Sequence, residues 1–200
     1  MAQAAGNILR PAGLGAGVWF TGLPGAGKST VVRAVLEALR QRGVDAVWLQ
    51  MDARRPHYIK NPDYSIEERR TAYRMFVDEA ATLVDEGRIV LMDGSGPEVA
   101  MRRYARARMP RFAEVHLQCT VFTAMKREAS RPEGMVMAGL YAKAMKRKAT
   151  GQEFPGLGQV IGIDVMFEED PQAELTLDAE HMDTLAKRDA VLARFAVWWG

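Results

Sequence analysis

The sequence predicts an α/β fold, with a mostly parallel central sheet and helices on both faces. Two observations carry that prediction. Short apolar runs of strand character alternate with helix-period stretches from Gly17 to Trp198. The first apolar run passes directly into a glycine-rich loop, and a helix pattern follows at once. Sequential strands joined by helices pair in parallel, and both sheet faces are then covered.

The elements follow in order. Residues 1–16 are rich in Ala and Gly and read as a loose leader before a single domain over 17–200. Gly17–Thr21 is the first buried strand. Lys28–Arg42 is a helix with Val32, Val35, Leu36 and Leu39 on one face, stopped by Gly43. Asp45–Gln50 is a second strand, and Arg54–Asp63, with two prolines, is a loop. Ser65 and Glu68 form a capping box that opens a long helix ending near Gly87. Arg88–Met92 is a strand, Asp93–Pro97 a turn, and a basic helix runs to about Arg108. Glu114–Cys119 is the next strand, with a helix starting near Phe122. Ser130–Gly162 is irregular and basic, with a helical piece over Leu140–Lys148. Glu174–Asp178 is a last short strand and His181–Trp198 a terminal helix.

Composition narrows the function. Two hundred residues suit one domain with a sizeable core, and the hydrophobic fraction of 48% is ordinary for a globular protein. A net charge of +2 argues against bulk nucleic-acid binding. Arginines crowd residues 102–111 and basic residues crowd 143–148, either as solvated helix faces or as contacts to an anionic substrate. The one cysteine, Cys119, reads as a small buried residue and fits a reducing compartment. His57, His116 and His181 have no metal-ligand spacing. No run approaches membrane-spanning length and no secretion signal is evident, so the expectation is a cytoplasmic protein without a membrane or nucleic-acid partner.

The chemistry begins in the loop. Gly22-Leu23-Pro24-Gly25-Ala26-Gly27-Lys28-Ser29-Thr30 contains G-x-x-x-x-G-K-S between a strand and a helix. Glycines let backbone N–H groups turn inward around phosphate oxygens, and the helix N-terminus adds its positive end. Lys28 reaches the β- and γ-phosphates, and the Ser29 hydroxyl ligates Mg²⁺. The fold class is therefore a three-layer sandwich of the P-loop NTPase type, binding a nucleoside triphosphate with Mg²⁺. The spacing is not G-x-G-x-x-G, which argues against a dinucleotide.

Ligands of such sheets sit beyond the C-terminal strand ends. Asp52 and Arg55 follow the second strand. Asp52 can accept a proton from an attacking hydroxyl or hold Mg²⁺ through water, and Arg55 can pair with phosphate or sulfate. The strand Ile89–Asp93 ends in an acid that can orient the metal, so Asp52 and Asp93 are rivals for that role. The segment 126–162 reads as a lid, with Arg127 and Lys143 as cations for the nucleotide or the transferred phosphoryl. Met135 and Met137 read as gap-fillers. Tyr64 and Phe154 can stack on a base, although core packing is the commoner role. The cluster Phe195, Val197, Trp198 and Trp199 packs on the protein itself or forms a homodimer contact.

Several pieces, in order, resemble the adenylylsulfate (APS) kinase family over about residues 17–179. These are Phe20–Leu23 through Ser29-Thr30, Tyr64-Ser65 with Glu68-Arg69, Phe112–Val115, Gly139–Ala144, and Gly162–Asp164 with Phe167-Glu168 and Glu174-Leu175. The resemblance implies transfer of the ATP γ-phosphoryl to the 3′-hydroxyl of adenylylsulfate. It implies that Asp52 acts on the hydroxyl or metal and that Arg55 and Arg69 hold the sulfonucleotide. It further implies that Tyr64 stacks on the substrate adenine and that Lys143 lies in the lid near the nucleotide phosphates.

The departures cluster on the acceptor side. The D-G-D of the family reads Gln50-Met51-Asp52, its helix Asn is Ala72, and its S-P-Y-R is Gly96-Pro97-Glu98-Val99. Its R-D-x-K-G-L-Y is interrupted between Arg127-Glu128 and Gly139, with Ala138 at the lysine. Each lost charge-assisted contact costs roughly 1.5–3 kcal/mol unless Arg54, Arg102 or Arg103 compensates. Two rivals follow: a kinase of the same fold acting on another small-molecule hydroxyl, and a nucleotide-binding module without catalysis.

Overall fold

Strand β1 (Ala16–Thr21) lies at the centre of a five-stranded sheet and is buried along its whole length. The computed structural model describes residues 15–130 and 139–199. Alternation within β1 divides two cores. Val18 and Phe20 face one layer with α1 (Lys28–Gln41), and Trp19 faces the other. The second layer contains α3 (Ile66–Asp85) and α4 (Val99–Arg108), joined through Phe76, Val77, Ala80 and Met101.

The remaining strands are β2 (Ala46–Gln50), β3 (Ile89–Asp93), β4 (Phe112–Gln118) and β5 (Leu175–Asp178), in the order β2-β3-β1-β4-β5 and all parallel. The expected three-layer architecture is therefore present. Register brings the chemistry to one edge: Phe20 and Gln50 both pair with Asp93, and Thr21 pairs with His116. The phosphate loop leaves the sheet there.

The first half of the expected loop over residues 54–63 belongs instead to the helix α2 (Met51–Tyr58). Pro56 sits on its exposed side, so the carbonyl that loses an N–H partner can be hydrated, and a helix of this length forfeits only that bond. Pro62, beyond the helix, is the effective breaker. The long helix begins as expected, with Ser65 Oγ accepting from Glu68 N at 3.2 Å. The Glu68 carboxylate, however, accepts from Tyr64 N at 2.6 Å, one residue earlier than a capping box requires.

The basic stretch before β5 carries α5 (Val121–Ala129) and α6 (Leu140–Thr150). Met135, Met137 and Ala138 lie outside the described residues, as does the expected leader up to residue 14. The terminal helix is two pieces, α7 (Thr184–Arg194) and α8 (Ala196–Trp199). It starts three residues later than expected because Asp183 caps it, accepting from Ala186 N at 2.7 Å. Trp199 is buried against Phe195 and donates to Leu192 O at 3.1 Å, so much of the terminal cluster is internal packing. Cys119 lies just past β4 and is half-buried, not within the strand. Phe154 packs on the larger core. Among the described residues, no helix is long and apolar enough to cross a membrane.

Candidate active site

The phosphate loop is shaped by close backbone packing. Gly22 and Gly25 have φ of 130° and 89°, a region that side chains rarely enter. A Cβ on Gly22 would lie 2.6 Å from Leu117 O, and one on Gly25 would lie 2.3 Å from Ala124 O. The loop is thus pressed onto the end of β4 and onto α5. Lys28 opens α1 and donates to Gly22 O at 3.1 Å, Leu23 O at 2.9 Å and Ser95 Oγ at 3.2 Å. Tyr141, on α6, donates to Pro24 O at 2.9 Å and ties that helix to the loop.

Asp93 ends β3 and is buried beside this lysine. Burial raises its carboxyl above the usual range, while Lys28 and the Ser29 hydroxyl favour its charged form. Asp52 stands in the first turn of α2, exposed, and close enough to Asp93 to influence it electrostatically. Among the described residues, no group of three or more His, Cys, Asp or Glu side chains is arranged to hold a metal. One buried carboxylate beside a serine hydroxyl at a phosphate loop nevertheless fits Mg²⁺, which uses one or two carboxylates plus phosphate and water oxygens.

On the β2–β3 side three of the sequence-selected residues meet. Arg55 is buried and pairs with Glu68 at 2.5 Å, and its guanidinium lies 4.9 Å from the centre of the Tyr64 ring. Tyr64 adopts φ of 57°, uncommon for a bulky residue, and its N–H is held by Glu68. Arg69 is buried, donates to Tyr64 O at 3.3 Å and Gln159 O at 2.6 Å, and has its pKa lowered by burial. The Nε atoms of Arg55 and Arg69 are buried without a hydrogen-bond partner among the described residues. Both arginines contact Tyr64, and an unsatisfied cationic donor on each suits a bound anion.

Arg127 and Lys143 lie elsewhere. Arg127 donates to Ala179 O at 2.8 Å, beside Cys119, on the β4–β5 side. Lys143 is exposed on the second turn of α6. A cavity of about 720 Å³ opens on the same side, walled by Leu23, His116, Cys119, Thr120, Phe167 and Glu180. The His116 ring stacks on Phe167 at 5.0 Å, and burial lowers its pKa.

The basic stretch on α4 is largely structural. Arg102 is fully buried with Glu114, Arg106 pairs with Glu174, and Arg108 pairs with Asp78 at 3.3 Å. Arg102 is therefore unavailable to compensate for a missing substrate contact. Arg54 is likewise engaged, at 2.7 Å from Glu79.

Sequence reading missed Ser95, the acceptor for Lys28, and the anchoring role of Glu68. The position of Ser95, two residues past the acid that ends β3, was the available signal.

Comparison with known proteins adds independent information. The family profile for adenylylsulphate kinase matches residues 14–178. A probable adenylyl-sulfate kinase of Archaeoglobus fulgidus is 31% identical over 166 residues, covering 83% of this chain and 97% of that protein. An adenylyl-sulfate kinase of Klebsiella pneumoniae is 35% identical over 169 residues, covering 84% of this chain and 76% of the relative. Among solved structures, the Mycobacterium tuberculosis APS kinase CysC, in complex with AMPPNP and APS, aligns with a TM-score of 0.77 and 26% identity. That alignment covers 92% of this chain and 99% of the other.

Proposed function

The chain belongs to the adenylylsulphate kinase family, a family of phosphotransferases acting on a hydroxyl, and from that premise we propose that it transfers the γ-phosphoryl of ATP to the 3′-hydroxyl of adenylylsulfate. The products are PAPS and ADP. The observation that carries the proposal is the pairing of two half-sites at one sheet edge. The loop with Lys28, Ser29 and Asp93 suits a triphosphate, and Arg55, Tyr64 and Arg69 suit an anionic nucleotide beside it.

The mechanism follows from positioning and electrostatics, since phosphoryl transfer needs little covalent help. Backbone N–H groups of the loop cradle the phosphates, Pro24 having none and those of Ala26 and Thr30 donating to Leu23 O and Gly27 O. Lys28 exchanges its carbonyl partners for β- and γ-phosphate oxygens, where its charge offsets that developing in transfer. Ser29 and Asp93 would hold Mg²⁺, which supplies further neutralisation between the phosphates when bound. Asp52, exposed at the cleft, orients the acceptor hydroxyl and takes its proton as the new P–O bond forms. Arg55 and Arg69 direct their unpartnered Nε–H groups to the acceptor anion, and Tyr64 stacks on its base. The cavity beside Leu23 and Thr120 receives the ATP adenosine, and Arg127 and Lys143, which do not line it, serve as lid cations from α5 and α6.

The test is ADP release with ATP and adenylylsulfate, in wild type and in Lys28→Ala. Acceptor-dependent release from wild type alone supports the proposal. Release no greater than with ATP alone sinks it.

A second reading keeps the chemistry and changes the acceptor. Gln50 stands where β2 pairs with Asp93, and Ala72 is fully buried in the Trp19 core, where a family Asn would carry a polar amide. A screen of sugar and nucleotide hydroxyls separates the two readings.

A further inference from the structure

Arg102 occupies a position that the proposed chemistry does not use. Its side chain is fully buried, ten residues before the strand that contains its partner Glu114 begins. Arg102 Nε lies 3.0 Å from Glu114 Oε1, and the same oxygen accepts from the Thr21 hydroxyl at 2.7 Å. Thr21 directly precedes the first loop glycine. The other guanidinium nitrogens donate to two backbone carbonyls, those of Gly96 and Glu168. Gly96 follows Ser95, whose carbonyl accepts from Gly22 N at 3.3 Å and whose hydroxyl accepts from Lys28.

Glu168 belongs to the chain that returns from the lid. Its N–H donates to Pro97 O at 2.9 Å, and its carboxylate accepts from Val99 N at 2.7 Å. The preceding Phe167 lies over the Arg102 guanidinium at 5.0 Å and walls the cavity beside the loop. One buried cation therefore ties three segments together: the end of β1, the Ser95–Gly96 turn and the returning chain.

We propose that Arg102 is a positioning residue that sets the Ser95–Gly96 turn and the Phe167 wall against the phosphate loop, and so governs how the nucleotide donor is held. This rests on the reading of the loop as a triphosphate site. A buried pair kept only for stability would be replaceable by apolar groups with little functional effect. A clasp would not, because a misplacement of about 1 Å near the reacting groups costs on the order of 10²-fold in rate.

The experiment compares wild type with Arg102→Met/Glu114→Gln, which removes both charges together, and with Glu168→Ala, an exposed change that leaves the buried pair intact. Binding of AMPPNP with Mg²⁺ is measured by calorimetry, kinetics by ADP release, and folding by thermal denaturation. Both variants are expected to weaken AMPPNP binding and raise KM for ATP, by about tenfold in the double variant and less in Glu168→Ala. The KM for the acceptor should stay within about twofold. Arg102→Lys, which restores one donor, should recover part of the loss.

Unchanged AMPPNP affinity in a folded double variant overturns the proposal. If the double variant does not fold, a folded Arg102→Lys with wild-type donor affinity overturns it. Equal losses toward donor and acceptor also overturn it. A wild type that binds AMPPNP but releases ADP with no acceptor contradicts the kinase reading instead, and the binding measurements still decide the role of Arg102.

Discussion

The two sides of the cleft are built from different materials. On the β1–β4 side the phosphate loop is a backbone object, with glycines wedged against Leu117 O and Ala124 O. On the β2–β3 side the candidate acceptor site is made of side chains that hold one another, with Glu68 gripping Arg55 and the Tyr64 backbone. Backbone contacts at this distance admit only glycine, so the loop's spacing is nearly invariant to its surroundings. A side-chain constellation tolerates exchange if packing and charge are rebalanced. Of the departures from the family pattern, Gln50 ends β2 on this second side, whereas Ala72 is buried in the Trp19 core and Val99 opens α4. The comparison teaches that a site made of backbone is legible in sequence where one made of side chains is not.

The largest expected effects break the donor side. Lys28→Ala should lower the rate of ADP release by about 10²–10³-fold, as loss of one donor to developing charge does elsewhere. Gly25→Val should abolish nucleotide binding, because its Cβ would meet Ala124 O at 2.3 Å. Calorimetric titration with AMPPNP checks the second outcome, and retained binding would mean that the loop can move off α5.

Next come the side chains across the cleft. Arg55→Ala should raise KM for adenylylsulfate by roughly 10- to 100-fold, the range of one lost charge-assisted contact, while KM for ATP stays within about twofold. Equal changes in both constants would erase the distinction between the halves. The two acids sharpen it further. Asp93→Asn should raise the Mg²⁺ concentration needed for half-maximal rate, whereas Asp52→Asn should lower kcat at saturating Mg²⁺. The reverse pattern would exchange their roles.

The smallest effect concerns protonation. His181, on the surface, is held above its usual pKa by Asp178, and buried His116 is held below. NMR titration should give midpoints on opposite sides of the ordinary value near 6.5. The signs for stability also oppose. The His181 contribution is complete below pH 6.5 and fades as pH rises through its folded value. The His116 contribution is complete above pH 6.5 and fades as pH falls toward its own lowered value.

Much of the fold was legible because its signals are local. The apolar run of β1, the glycine that ends α1 and the Ser65 cap each act over a few residues. Where the sequence misled, distant or competing contacts decided. Pro56 suggested a loop, yet only one N–H is lost on a solvent-facing side. The terminal helix was read through His181, which instead pairs with Asp178 at 2.8 Å while Asp183 takes the cap. In the candidate site, Lys28 and Asp93 were readable from motif and strand end. The burial of Arg102 was not, because its partner Glu114 sits on another strand and nothing local distinguishes it from exposed Arg103. Ser95 was missed for the same reason, since its value depends on a lysine 67 positions away.

The most direct measurement is kcat/KM for adenylylsulfate against a panel of sugar and nucleotide hydroxyls, in wild type and in Arg55→Ala. Adenylylsulfate should be the best acceptor for wild type, and the substitution should remove most of that preference without changing KM for ATP. A different hydroxyl compound preferred by wild type, or a preference for adenylylsulfate undiminished in Arg55→Ala, would contradict the account.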